Sequence, residues 1–152
     1  MDTPFRIFLF EDNDADVFLV RMAIDQAGLP FALTVCTDGE EAMTAVQRIE
    51  SGEMESPDLL LLDMNLPRFG GDEILDRMRK GAKGRSFKVI VITSSDSPAD
   101  RERARSLAVE HYFRKPVDLE EFLKLGQVVR AALMKRSASE GAGAASSCAT
   151  TE

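Results

Sequence analysis

Short apolar runs alternate along this chain with stretches whose apolar residues recur at helical spacing. Phe5–Phe10, the alternating Phe31–Cys36, Leu59–Leu62, Lys88–Thr93 and Glu110–Phe113 read as strands. Between them lie helices with their own start signals. Asn13 is a good N-cap for a helix over Asp14–Ala27, whose buried stripe is Val17, Val20, Ile24 and Ala27, and Gly28-Leu29-Pro30 stops it. Asp38 caps a second helix running to Ser51, with Gly39 in its first turn, and a third runs from Asp72 to Lys80. Pro98 fits the first turn of a fourth. Asp118 caps a long fifth to Lys135, with Leu119, Phe122, Val129 and Leu133 facing inward. The polar stretches Gly52–Pro57, Pro67–Gly71 and Gly81–Ser86 are loops. Strand and helix in strict alternation require a parallel sheet with helices on both faces.

Four consecutive leucines, Leu59–Leu62, read as a strand buried on both faces, and Asp63 follows directly. A buried charge is costly unless it is paired or bound to metal. In an open parallel α/β sheet, ligands bind just beyond the carboxyl ends of the strands. Asp63 is therefore a functional candidate before any other residue is consulted. Glu11 and Asp12 follow the first strand, Thr93 ends the fourth, and Lys115 follows the fifth. Acids converging at strand ends repel one another, and a hard divalent cation relieves this. Mg²⁺ takes oxygen ligands and commonly uses one or two carboxylates together with phosphate oxygens. Asp12 and Asp63 are expected as direct ligands, the backbone carbonyl of Asn65 as a third, and Glu11 through a water. The bland alternative makes all these acids solvated loop residues, but each adjoins a buried strand.

Lys115 can reach across to the acids or to a bound phosphoryl group, and Pro116 after it can redirect the chain through a cis bond. Thr93 alone is a weak signal, because Thr is common in strands. Tyr112, the only tyrosine, reads equally well as packing or as a switch. The sole histidine, His111, supports neither a metal cluster nor a Ser/His/Asp triad. No GxxxxGK[ST] or GxGxxG loop occurs. Arg101, Arg103 and Arg105 are interspersed with Glu102, which reads as a solvated helix face rather than a basic patch.

Composition narrows the class further. At 152 residues, 44 % hydrophobic and 30 % charged, the chain holds one domain over residues 1–136 and a small-residue tail over 137–152, expected to be flexible. No apolar run approaches the roughly 18–20 residues that span a bilayer, and the N-terminus lacks a signal-peptide pattern, so a cytoplasmic location is expected. Cys36 and Cys148 form no disulfide framework and read as free thiols. A net charge of −7 argues against a nucleic-acid surface.

The set Glu11-Asp12, Asp63, Thr93, Tyr112 and Lys115-Pro116 resembles the receiver domain of two-component response regulators, over roughly residues 5–135. Each motif is weak alone, but their joint order at strand ends is specific. The resemblance implies a flavodoxin-like (βα)5 fold with strand order 2-1-3-4-5. It also implies that Asp63 accepts a phosphoryl group from a phosphohistidine on a sensor histidine kinase. Asp12, supported by Glu11, would hold Mg²⁺, Thr93 would hydrogen-bond a phosphoryl oxygen, Lys115 would pair with it, and Tyr112 would swing inward as Thr93 moves. Phe10–Asp16, Asp63–Pro67, Val91–Ser95 and the loop Gly52–Pro57 resemble the small stand-alone receivers that partner phytochrome-type kinases. Asp14 departs from that group, which often has Pro there.

Two rivals stand beside a stand-alone phosphoacceptor. One is a phosphatase that forms an aspartyl-phosphate, but its general acid would fall at Asn65, which cannot protonate a leaving group. The other is a phosphorylation-independent interaction module, which would normally lack one of the acids or the lysine. With no attached effector, output is expected at the face of the fourth helix, fifth strand and fifth helix. Ala104, Val109 and Arg114 there are expected to form a self-complementary patch for a homodimer.

Overall fold

The computed structural model describes residues 3–81 and 87–135. The proposed tail over 137–152, Cys148 and most of the loop Gly81–Ser86 lie outside the described residues. Five strands form one parallel sheet: β1 (Phe5–Phe10), β2 (Phe31–Cys36), β3 (Leu59–Leu62), β4 (Lys88–Thr93) and β5 (His111–Arg114). Their order is β2-β1-β3-β4-β5, the flavodoxin-like arrangement. The helices are α1 (Asp14–Gln26), α2 (Gly39–Ser51), α3 (Gly71–Lys80), α4 (Pro98–Ser106), α5 (Leu119–Leu123) and α6 (Leu125–Met134).

The side-chain alternation of β3 divides the core in two. Leu60 and Leu62 join Phe8, Phe10, Val89 and Val91 under α2 and α3, whereas Leu59 and Leu61 join Ile7, Leu9, Ile90 and Ile92 under α1, α5 and α6. All four leucines are fully buried. The caps read from sequence are in place: Asn13 accepts from the Asp16 N–H, Asp38 from that of Glu41, and Asp118 from that of Glu120.

The long fifth helix differs from expectation. It is two segments, α5 and α6, meeting at Lys124. The break coincides with a close crossing, since a Cβ on Gly126 would stand 2.2 Å from the Ala23 carbonyl oxygen on α1. Leu119 is exposed rather than inward, because it is the first residue after the Asp118 cap and Phe122 takes the inner position. The Phe122 ring packs edge-on to Phe113 of β5 at 6.0 Å. Lys88, at the start of β4, donates to the Ala132 carbonyl (2.7 Å) and to that of Lys135, closing the end of α6.

β5 begins one residue later than expected, although Glu110 already donates to Val89 (2.7 Å). The Lys115–Pro116 bond is trans, not cis. Lys115 N–H still bonds the Thr93 carbonyl and the Asp118 cap starts α5, so a trans linkage suffices for the turn. α4 is the most polar helix. Only Ala104 on it is buried, which removes Ala104 from the expected surface patch; Val109 is half-buried and Arg114 exposed.

Candidate functional site

The site is built from residues just beyond the sheet's carboxyl edge. Glu11 N–H donates to the Cys36 carbonyl, Asp63 N–H to that of Phe10, and Lys115 N–H to that of Thr93, at 2.9, 3.0 and 2.7 Å. The parallel ladder thus runs one residue past β1, β3 and β5. It fixes the backbone under each functional side chain, while Thr93 is held as the last residue of β4. Small residues let the flanking loops close in. A Cβ on Gly71, the first residue of α3, would lie 2.7 Å from the Asp63 carbonyl oxygen and from Met64 Cα. That close approach seats the Asp63 loop against α3.

Glu11, Asp63 and Thr93 are the buried polar side chains of the described core. Asp12 is exposed at the mouth. One carboxylate oxygen from each of Glu11, Asp12 and Asp63 lies within 4.8 Å of the others. Oxygens opposite each other on a magnesium-sized cation stand about 4.2 Å apart. Three acids so placed, two of them withdrawn from water, are the donor set a hard divalent cation requires, and they fit one. Asn65 N–H donates to Asp63 Oδ1 (3.0 Å), orienting the carboxylate and bringing the Asn65 backbone alongside it.

Lys115 supplies the positive charge. Its Nζ stands 2.7 Å from Glu11 Oε1, 2.8 Å from Asp16 Oδ2 and 3.3 Å from Asp63 Oδ2. Burial alone would lower the lysine's pKa. Its hydrogen bonds to Asp16 and Glu11 and the charge of Asp63 more than offset this, so the ammonium is held more firmly than in an ordinary lysine. Burial pushes the Glu11 carboxyl up to about 7; the hydrogen bond from Lys115 opposes the rise and the Asp63 charge adds to it.

Thr93 Oγ1 accepts from Ser95 N–H (3.1 Å) and from the Asn65 side-chain amide (3.4 Å). The Tyr112 hydroxyl donates to the Ser95 carbonyl (2.9 Å), and the Arg101 guanidinium lies 4.5 Å over its ring. Thr93, Asn65, Ser95 and Tyr112 therefore form one connected path from the acids to the start of α4. Sequence reasoning placed Glu11, Asp12, Asp63, Asn65, Thr93, Tyr112 and Lys115, and the fold gathers all of them along this edge. His111 is exposed, and buried Cys36 is a free thiol whose pKa burial, with the charges of Glu41 and Asp38, raises to about 11.

The residue missed is Asp16, which the sequence reading gave no role at the site. The one signal that could have found it was its place a helical turn beyond Asp12, where an α1 side chain can lean toward the same edge.

The family model of the response regulator receiver domain matches residues 7–126. Among curated proteins, the chain is 31 % identical over 129 residues to a probable methanogenesis regulatory protein, FilR2 of Methanothrix harundinacea, covering 85 % of this chain and 83 % of that protein. It is 32 % identical over 127 residues to the response regulator Rcp1 of Synechocystis, covering 82 % and 85 %. Among solved structures, the phosphorylated cyanobacterial phytochrome response regulator RcpA superposes with a TM-score of 0.79 at 28 % identity, over 89 % of this chain and 97 % of that one. The Mn²⁺-bound form of Rcp1 gives 0.75 at 30 % identity, over 84 % and 93 %.

Proposed function

The chain belongs to the response regulator receiver family, and from that premise we propose that it is a stand-alone response regulator taking a phosphoryl group from a sensor histidine kinase onto Asp63. The observation that carries this reading is the Asp63 carboxylate itself: almost buried, oriented by the Asn65 N–H, and flanked by two acids and the Lys115 ammonium.

An Asp63 oxygen attacks the phosphorus of the phosphohistidine as the P–N bond breaks, and the imidazole nitrogen keeps the electron pair. Such a transfer needs positioning and charge neutralisation more than acid–base chemistry. Lys115 neutralises one phosphoryl oxygen, and the Thr93 hydroxyl donates to another. Moving to reach that oxygen draws Thr93 from its place beside Asn65 and Ser95, and Tyr112, bonded to Ser95, follows. Mg²⁺ held by Asp12, Asp63 and the Asn65 carbonyl, with Glu11 through a water, would neutralise the remaining charge. Apart from forming and losing its own acyl phosphate the protein catalyses nothing. The phosphatase reading fails at Asn65, whose amide is given to Thr93 and cannot act as an acid.

The likeness to a cyanobacterial phytochrome response regulator supports a phytochrome-type kinase as the partner, and with it a cytoplasmic location. Among the described residues no helix is long and apolar enough to cross a membrane. For output we propose a homodimer through α4, β5 and α5–α6, where Leu119 and Met134 are exposed apolar side chains. Sedimentation with and without fluoroberyllate tests it, and a monomer in both states leaves only a heteromeric contact. The central test is labelling by acetyl phosphate in Mg²⁺. Wild type should take up one phosphoryl group and Asp63→Asn none, with its fold intact. Stoichiometric labelling of Asp63→Asn would overturn the assignment.

A further inference from the structure

An ammonium has three hydrogens to give, and in this site three carboxylates claim them. Lys115 Nζ lies closer to Glu11 (2.7 Å) and Asp16 (2.8 Å) than to Asp63 (3.3 Å). Glu11 and Asp63 belong to the acid set suited to a cation, but Asp16 does not. Its hold on Lys115 is therefore the one that a bound cation leaves untouched. Asp16 is also fixed in place. Its N–H is capped by Asn13 Oδ1 (2.9 Å), and α1 is anchored to the core by Val20, Ala23 and Ile24. Its backbone cannot follow the ammonium toward a new partner.

We propose that Asp16 is a positioning residue that holds Lys115 back from Asp63 and so weakens the protein's grip on a phosphoryl group. This rests on the reading of Asp63 as the phosphoacceptor. A phosphoryl oxygen must win one of the three hydrogens, and the Asp16 carboxylate competes for the same ammonium. Its own negative charge, one lysine-width away, also opposes an incoming anion. Both effects have the same sign. The site is thus built to release its phosphoryl group more readily than the acids, the cation and Lys115 alone would dictate. The residue responsible touches neither the cation set nor Asp63.

Calorimetric titration with fluoroberyllate at saturating Mg²⁺ tests the proposal on wild type, Asp16→Asn, Asp16→Ala and Asp16→Glu. Asp16→Asn and Asp16→Ala should bind fluoroberyllate at least about fivefold tighter, while their affinity for Mg²⁺ alone stays equal or falls. A merely structural role would weaken both. Asp16→Glu, which keeps the charge, should stay within about twofold of wild type. In a Lys115→Ala background the gain from Asp16→Asn should shrink to the direct repulsion alone, because the positioning effect passes through Lys115. Unchanged or weaker fluoroberyllate binding in both uncharged variants overturns the proposal, as does a gain that survives in full without Lys115. If wild type binds no fluoroberyllate and takes no label from acetyl phosphate, it is the reading of Asp63 that fails.

Discussion

Two helices on opposite faces of the sheet, α6 and α4, are seated very differently. α1 and α6 meet at a backbone-close crossing, with Gly126 against the Ala23 carbonyl, and bury Val20, Ala23, Ile24, Leu125 and Val129. α4, on the opposite face, buries only Ala104 and is tied down by ion pairs: Arg103 to Asp72 on α3, and Arg101 to Asp96 just before its cap. The first pair rests on close packing and the second on exposed charges that are individually weak. The firm pair carries Asp16 and follows directly from the acids after β1; α4 begins after Thr93. Asp16 thus stands on a rigid element, while α4, the proposed output helix, can shift at little cost.

The contrast breaks most visibly at Gly126. Alanine there gains about 1 kcal/mol in helix propensity, but its Cβ meets the Ala23 oxygen at 2.2 Å. We expect Gly126→Ala to lose about 3 kcal/mol of stability in urea denaturation. Wild-type stability in this variant would mean that α6 can lift from α1 freely, and the contrast would fail.

A smaller effect is expected at Glu11. Its carboxyl ionises near 4.5 in the unfolded chain and near 7 in the fold. The folded state therefore holds the proton more tightly, so the contribution is most favourable below pH 4.5 and is lost as pH rises through 7. Without metal, Glu11→Gln should be more stable than wild type at pH 8 by about 2 kcal/mol, part of the gain being offset by the lost partner for Lys115. The difference should shrink toward pH 4.5. Melting curves at both pH values check this, and a pH-independent difference would refute it.

The smallest effect belongs to α4. Arg103→Ala should cost less than about 1 kcal/mol yet speed amide exchange along α4 while leaving α1 unchanged. Exchange accelerated equally in both helices would show that they are one cooperative unit.

The strands were legible because β3 is apolar on both faces and the helix starts carry explicit caps at Asn13, Asp38 and Asp118. The acids were legible because a carboxylate directly after a buried strand is costly unless a cation or a positive side chain meets it. What escaped was set by tertiary distance. Asp16 meets Lys115 across 99 positions of sequence, and its place one helical turn beyond Asp12 is the only local trace of that contact. The break at Lys124 coincides with the close approach of α6 to α1, and the outward turn of Leu119 follows from its place directly after the Asp118 cap. Helical periodicity carries no trace of such a crossing. Ala104 looked available because small residues suit surfaces and interfaces alike; it is the sole apolar foot of a charged helix.

The chain contains one tyrosine and no tryptophan. Its near-ultraviolet emission therefore originates at a single ring, Tyr112, whose hydroxyl is bonded to Ser95 and whose face lies under Arg101. Ser95 lies between β4 and α4, and Arg101 lies in the first turns of α4. The protein thus carries an optical probe at the junction of β4 and α4, and excitation beyond the phenylalanine band leaves no second emitter. A stopped-flow trace of that emission would time the motion of this segment directly, with no dye attached.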